Sequence, residues 1–596
     1  MPFYKAPLDD FKFLIHEFLD LEECRALPSM AEATPDVIDA VLEEAARISE
    51  EVLQPLNAVG DVEGCRYNDG AVTTPTGFSE AYRVYTEGGW PALTTDPEYG
   101  GQGLPMFVGL GLSEMINAAN PSFAAYPGLT HGAYELIHHH GSEAQKQRFL
   151  PPMIEGRWTG TMNLTESHCG TDLGMIRTRA EKQQDGRYRI TGTKIWISAG
   201  EHDMAENIIH LVLARTPGAP AGTRGISLFI VPKFHPEEDG SPGERNGVRC
   251  TGIDHKMGMQ ASATCEMQYD GAIGEIIGEE NRGLSYMFTM MNAARLVTGI
   301  QGLGMAAVAH QNAAAYALER LQGRSLNGPR EPDQPADPII VHPDVRRMLL
   351  MGRASVEGAR ALGLYTAVQL ELEQRHADAG VRQRAGHWVA LMTPIIKAWF
   401  TDMGTEVTNL ALQVHGGAGY IVDTGVEQFV RDVRITQIYE GTNGVQALDL
   451  VGRKLTANSG ETLKSFFTHA EALIEACSAT PELNEFTRPF SEARDRLQHV
   501  TAWVYQQMAR DPIEAGAASS DYLRMFALTA IAFIWTRQAS IARARLEDGT
   551  GGAAFYRAKL HTARFFMTRM LPETISLDAR IRAGAEPIMA PPDDSV

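Results

Sequence analysis

Tyr188-Arg-Ile-Thr-Gly-Thr-Lys-Ile-Trp-Ile-Ser198, followed by Ile208-Ile-His-Leu-Val-Leu-Ala214 and Ile226-Ser-Leu-Phe-Ile-Val231, is a series of short runs rich in β-branched and alternating residues. Turn residues separate the runs and Cys265-Glu-Met-Gln-Tyr269 adds another, so the stretch from about Trp158 to Gly278 predicts an antiparallel β domain. On either side the period lengthens to that of a helix. Upstream, Pro35 and Asp36 are start signals for a helical segment with a break at Thr94-Thr-Asp-Pro-Glu-Tyr-Gly-Gly-Gln-Gly-Leu104. Downstream, Leu284, Met287, Phe288 and Met291 keep the i, i+3, i+4, i+7 spacing, and Ile395, Trp399, Met403, Val407, Leu410 and Val414 repeat every three or four residues up to His415-Gly-Gly-Ala-Gly419. The expected fold is a multidomain α+β chain. It has an N-terminal extension (1–33), a helical domain (34–157), an inserted antiparallel β domain (158–282), a helical-bundle domain (283–460) and an extra C-terminal helical domain (461–596).

Charge and cysteine usage exclude several functions. With 53 Lys and Arg against 74 Asp and Glu, the formal charge is −21, which argues against nucleic-acid or anionic-membrane binding while leaving room for a local basic pocket. Six cysteines lie scattered without metal-ligand spacing, and Met1-Pro-Phe-Tyr-Lys-Ala-Pro has no basic segment leading into an apolar core; a reducing cytoplasm is the expected compartment. The apolar run Met525–Trp535 is shorter than the ~20 residues a bilayer requires and reads as a buried helix. His138, His139 and His140 stand together at a helix boundary but lack partnered cysteines or carboxylates, so no metal site is expected. In the extension, Phe11, Phe13, Leu14, Phe18 and Leu19 predict one apolar helix face packed on the body.

Two sets of polar residues stand out. Arg431-Asp-Val-Arg-Ile-Thr-Gln-Ile-Tyr-Glu-Gly-Thr-Asn-Gly444 places one carboxylate, Glu440, before a turn of small residues. Held among apolar neighbours such as Ile438 and Tyr439, it would suit a general base; the plainer reading is a surface Glu preceding a turn. Arg295 continues the apolar stripe of 284–291, and a guanidinium there requires an anionic partner from protein or ligand.

In their order and spacing, four segments resemble the acyl-CoA dehydrogenase family over about 34–455: Met162-Asn-Leu-Thr-Glu-Ser-His-Cys-Gly-Thr-Asp172, Lys194–Ser198, Gln413-Val-His-Gly-Gly417 and Tyr439-Glu-Gly-Thr442. The resemblance implies FAD as cofactor, with Met162, Leu164, Thr165 and Ser198 at the flavin, Trp196 as its aromatic wall, and Gly170 and Thr171 near diphosphate oxygens. Arg320, Gln413, Gly416, Gly417 and Thr442 are implied as further FAD contacts, Arg320, Gln413 and Gly417 reaching the adenine diphosphate of a neighbouring subunit. Thr171, Asn292, Arg295, Tyr439 and Gly441 are implied at the acyl-CoA substrate. The chain departs from the common pattern at Ser167-His168, where Pro-Gly is usual, at Thr171, Ser198 and Asn292, and after Arg320, where an aromatic is missing.

The N-terminal extension and the C-terminal block are similar to the long form of the family, which contains 3-methylmercaptopropionyl-CoA dehydrogenases and bacterial fatty acyl-CoA dehydrogenases. The implied reaction is α,β-dehydrogenation of an acyl-CoA thioester to the trans-2-enoyl-CoA: Glu440 removes the α proton, hydride goes to the flavin, and the Glu440 N–H helps to hold the thioester oxygen. An electron-transfer flavoprotein as acceptor and a homodimer are implied partners. The alternatives are a medium- or long-chain fatty acyl-CoA dehydrogenase, an acyl-CoA oxidase, distinguished by peroxide release, and a non-catalytic CoA-ester binding protein, distinguished by absence of flavin bleaching.

Overall fold

A computed structural model describes residues 2–549 and 551–595. The chain forms two compact units, Glu44–Val297 and Met1–Glu43 with Thr298–Val596.

The unit Glu44–Val297 is built on a sheet of β1 (Trp158–Asn163), β2 (Arg179–Lys182), β3 (Tyr188–Ser198), β4 (Asn207–Ala214), β5 (Ser227–Pro232), β6 (Val248–Ile253) and β7 (Thr264–Ile276). The strand order is β1-β4-β5-β7-β3-β2, with β6 also paired to β7. β1, β4 and β5 are buried throughout, and β4 and β5 accordingly read as near-continuous apolar runs, whereas β3 is mostly exposed on one face and alternates. The sequence predicts an antiparallel sheet, and the structure corrects this at one pairing: β1 and β4 run parallel, from Trp158↔Asn207 to Asn163↔Val212. The chain between them makes the long excursion through β2 and β3, and a connection of that length lets a strand return in the same sense.

One face of the sheet carries helices. α1 (Pro121–His140) packs on β1 so closely that a Cβ at Gly160 would lie 2.4 Å from the Ala133 Cβ, so only glycine fits there. Leu136, Ile137, Phe149, Trp158, Leu211 and Met287 share that core. The three consecutive histidines are structural. His138 bonds Asp96 at 3.0 Å, the His139 ring donates to the Glu135 carbonyl at 2.8 Å, and His140 meets the Thr289 hydroxyl at 2.7 Å.

The other unit is helical. α2 (Gly283–Glu319) enters it from Thr298 onward, followed by α3 (Pro343–Arg375), α4 (Ala379–His415), the short α5 (Asn443–Asp449), and α6 (Pro512–Glu547) and α7 (Ala553–Phe565) of the C-terminal block. The expected helical-bundle and C-terminal helical parts are both present. α2 and α4 cross at glycines: a Cβ at Gly302 would lie 2.7 Å from the Phe400 carbonyl oxygen, and one at Gly404 2.7 Å from that of Gly302. The C-terminal block joins the bundle through aromatic packing, with Trp388 of α4 5.0 Å from Tyr365 of α3 and 6.1 Å from Phe533 of α6, and the Trp535 indole donates to the Ala354 carbonyl at 3.1 Å. By length and composition α6 could cross a membrane, but 83% of its apolar window is buried inside the protein, as a core helix would be. Phe11, Phe13, Leu14, Phe18 and Leu19 of the extension are all buried, as the sequence predicts.

Candidate active site

The residues singled out in the sequence form local groups within each unit. In the unit Glu44–Val297, the chain leaves β1 through Leu164 and Thr165, and the loop that follows is organised by Glu166. Its buried carboxylate accepts from the backbone N–H of Arg177 at 2.7 Å and of Thr178 at 3.0 Å, from the Thr178 hydroxyl at 2.7 Å, and from Lys194 Nζ at 2.9 Å. Lys194, fully buried on β3, also donates to the Leu164 carbonyl at 2.9 Å, and the Ile195 N–H donates to the Thr165 carbonyl at 3.0 Å. Burial alone would push the Glu166 carboxyl up, but the Lys194 ammonium and the surrounding donors hold it below the usual carboxylate range. One ion pair thus ties both ends of the loop to β3. Glu166, His168 and Cys169 cluster with ligand-type atoms within 4.8 Å of one another. The Lys194 ammonium already neutralises Glu166, and His168 Nε2 donates to the Met175 carbonyl at 3.0 Å, so the trio is a poor cation site.

On β3, Trp196 lies where the register against β7 shifts, with φ 59°, and its side chain is 63% exposed. A bulky residue in the left-handed region costs of order 1–3 kcal/mol and persists where the surroundings impose it. Here the result is an indole presented to solvent beside the partly exposed Thr165 and Ser198, with Gly170 and Thr171 exposed further along the loop. A flat aromatic surface, hydroxyl groups and small residues fit the face and polar edge of a flavin. Met162, by contrast, is buried in the core cluster. On α2, Arg295 is buried and donates to Asn292 Oδ1 at 3.2 Å, while Met287 belongs to the sheet core.

In the helical unit, Glu440 has φ 56° and is followed by Gly441 at φ 83°. Two consecutive left-handed residues turn the chain sharply between the helical turn Arg434–Gln437 and α5, whose N-cap, Thr442, accepts from the Val445 N–H at 3.3 Å. Three anchors hold this turn. The half-buried Tyr439 donates its phenolic O–H in a short hydrogen bond to Gln301 Oε1. Asn443 accepts from Lys397 Nζ at 2.9 Å and donates to Asp402 Oδ1 at 2.7 Å and the Ala398 carbonyl at 3.1 Å, fixing the turn to α4. Gln446 Nε2 donates back to the Glu440 carbonyl at 3.0 Å. Ile438 is exposed, contrary to the expectation that it shelters the carboxylate; the residues flanking Glu440 are fixed by polar anchors, and Tyr439 is half-buried.

A third group surrounds the end of α4. Gln413, Gly416 and Gly417 are exposed, and a Cβ at either glycine would meet open space. Tyr316, one turn before the exposed Arg320, packs its ring 4.5 Å from that of His415, which joins the end of α2 to the end of α4.

Domain models of the acyl-CoA dehydrogenase family match nearly the whole chain: the N-terminal domain over 38–157, the middle domain over 161–272, the C-terminal domain over 281–455, and an "acetyl-CoA dehydrogenase C-terminal like" domain over 466–592. The chain belongs to the acyl-CoA dehydrogenase family. It is 42% identical over 97% of its length, and 98% of the relative's, to the 3-methylmercaptopropionyl-CoA dehydrogenase of Ruegeria pomeroyi. To the broad-specificity linear acyl-CoA dehydrogenase FadE5 of Mycobacterium tuberculosis it is 32% identical over 96% of each chain. Its fold matches that of an acyl-CoA dehydrogenase from Bacillus anthracis complexed with FAD, with a TM-score of 0.75 at 20% identity, over 97% of this chain and 92% of that one. The protein is accordingly an FAD-dependent oxidoreductase acting on CH–CH bonds of acyl-CoA thioesters.

Sequence reasoning missed Glu166, Lys194, Gln446 and the Asn443–Lys397 contact. A signal existed for one of them: the alternation of β3 turns Tyr188, Ile190 and Lys194 inward, and an inward lysine requires a buried anion.

Proposed function

We propose that Glu440 is the base that removes the α proton of the acyl-CoA, and that the loop Leu164–Thr171 with Trp196 and Ser198 holds the flavin. The observation that carries the reading is the Glu440–Gly441 turn, a strained backbone pinned by three side-chain anchors around one carboxylate. The bound FAD supplies the hydride acceptor at the β carbon. The chain's own tasks are to aim the carboxylate at the α carbon, to exclude water and to place hydrogen-bond donors at the thioester oxygen. Asn292 and Arg295 are proposed to meet the nucleotide end of coenzyme A, and Tyr439 and Gly441 to border the acyl group.

For the substrate we propose short to medium acyl chains, including 3-methylmercaptopropionyl. The relative at 42% identity bears that compound in its name, and the relative at 32% is named for broad specificity on linear chains. A thioether and a methylene are nearly isosteric, and apolar pockets separate substrates differing by a whole methylene by only about 1–3 kcal/mol. Comparable kcat/KM values are therefore expected for the methylthio substrate and the five-carbon chain, in a series running to long straight chains. A preference for the sulfur compound above roughly a thousandfold, ~4 kcal/mol, would refute shared recognition. Run with a dye, with an electron-transfer flavoprotein and with oxygen alone, the same series tests the proposed acceptor; steady peroxide release would instead make the protein an oxidase.

We further propose a homodimer in which Arg320, Gln413 and Gly417 reach the partner's FAD. Beside this glycine Tyr420, Ile421 and Val422 stand 81%, 52% and 68% exposed, an apolar patch that a second copy would cover. Sedimentation of the FAD-loaded protein is expected to give a dimer; a monomer that retains FAD would refute the shared site. All six cysteines are free thiols, which suits the proposed cytoplasmic location, checked by cell fractionation.

A further inference from the structure

Gln446 is fully buried in the first turn of α5, six residues beyond Glu440. Its Nε2 donates to the Glu440 carbonyl at 3.0 Å and approaches the Gly441 carbonyl at 3.4 Å, while its Oε1 is buried without a hydrogen-bond partner among the described residues. A buried amide oxygen left unsatisfied costs stability, so the side chain is not optimised for packing or for its own hydrogen bonding. A second observation comes from Gly441, where a Cβ would sit 2.8 Å from Gln446 Nε2. The amide is pressed against the turn, and the residue after Glu440 must be glycine for Gln446 to reach the Glu440 carbonyl.

From this geometry we infer that Gln446 is a positioning residue for the proton transfer: by holding the Glu440–Gly441 peptide it keeps Glu440 in its left-handed conformation and fixes the direction of its carboxylate and N–H. The inference rests on the assignment of Glu440 as the base. Without the Gln446 donor, Glu440 can relax from φ 56° towards the right-handed or extended regions, where non-glycine residues are more stable, and the carboxylate then leaves the α carbon. Small displacements of this kind lower a proton-transfer rate strongly while barely affecting binding of the distant coenzyme A moiety.

The test uses the FAD-loaded enzyme with Gln446→Met, Gln446→Glu and Glu440→Gln. Methionine conserves volume and removes the unsatisfied oxygen along with the donor, so Gln446→Met is expected to keep the unfolding temperature and FAD content of the wild type. Its kcat is expected to fall 30-fold or more with KM for acyl-CoA changed less than threefold, the pH dependence of kcat should shift, and amide hydrogen exchange across 440–446 should accelerate in both apo and loaded protein. Gln446→Glu, which puts an acceptor against the Glu440 carbonyl, should lose at least as much kcat as Gln446→Met. If Gln446→Met folds normally and keeps kcat, its pH profile and slow exchange while Glu440→Gln is inactive, Gln446 is packing alone and the inference is overturned. If Glu440→Gln itself turns over at near wild-type rate, the base assignment fails, and the inference with it.

Discussion

Glu440→Gln is expected to bind FAD and acyl-CoA as the wild type does and to oxidise substrate at least a thousandfold more slowly. The amide keeps the shape of the side chain and removes the one group in the turn that can accept a proton; general bases contribute of order 10²–10⁴ in rate, and misplacing a neutral amide where a base is needed adds to the loss. Because Tyr439 is held by Gln301 and Asn443 by Lys397 and Asp402, the turn should retain its course in the variant, which is what separates this outcome from unfolding. Single-turnover bleaching of the flavin by acyl-CoA gives the rate directly, and equilibrium titration gives substrate affinity. Retention of a tenth of the wild-type rate would return Glu440 to the plainer role of a surface carboxylate before a turn.

How far the sequence foretold these features depended on the range of the interactions involved. The β block was legible because alternation and apolar runs are local consequences of burial on one face or two, and the helices because Ile395 to Val414 repeat at the helical period. The parallel pairing of β1 with β4 was not, since strand direction depends on where a long connection returns the chain and leaves no trace in either strand. The turn at Glu440–Gly441 was legible from local pattern, a carboxylate followed by small residues. The mistaken shelter by Ile438 came from reading adjacency in sequence as adjacency in space; a left-handed turn starting two residues later sends the neighbouring side chains apart. The anchors were hidden for the same reason: Asn443 with Lys397 and Tyr439 with Gln301 join residues 46 and 138 positions apart, and nothing in either segment alone names its partner.

The longest of these connections should also govern stability. Asp10, on the short helix Leu8–Phe13 of the extension, is buried against Arg360 of α3, with Nη1 to Oδ2 at 2.5 Å, and against Lys559 of α7, which also binds Glu357 Oε2 at 2.8 Å. Burial would push the Asp10 carboxyl up, but the two cations together hold it below its ordinary value. Asp10→Ala leaves Arg360 and Lys559 buried with the shared anion gone, and breaking a buried pair in this way costs about 3–5 kcal/mol. The urea midpoint of the helical unit is expected to fall accordingly at neutral pH, with Glu17, bonded to Arg545 and Tyr556, keeping the extension partly docked. The sign of the pH dependence follows from the lowered pKa: the contribution of Asp10 is fully present above the unfolded carboxyl's value of about 3.9 and is lost as pH falls through the lower folded value. Wild type should therefore lose stability more steeply than Asp10→Asn on acidification below about pH 4, the two converging where Asp10 is protonated in both states. Parallel curves for the two proteins, or a loss at neutral pH in Asp10→Ala of less than about 1 kcal/mol by urea unfolding, would mean that the apolar face of Phe11, Phe13, Leu14 and Phe18 holds the extension by itself.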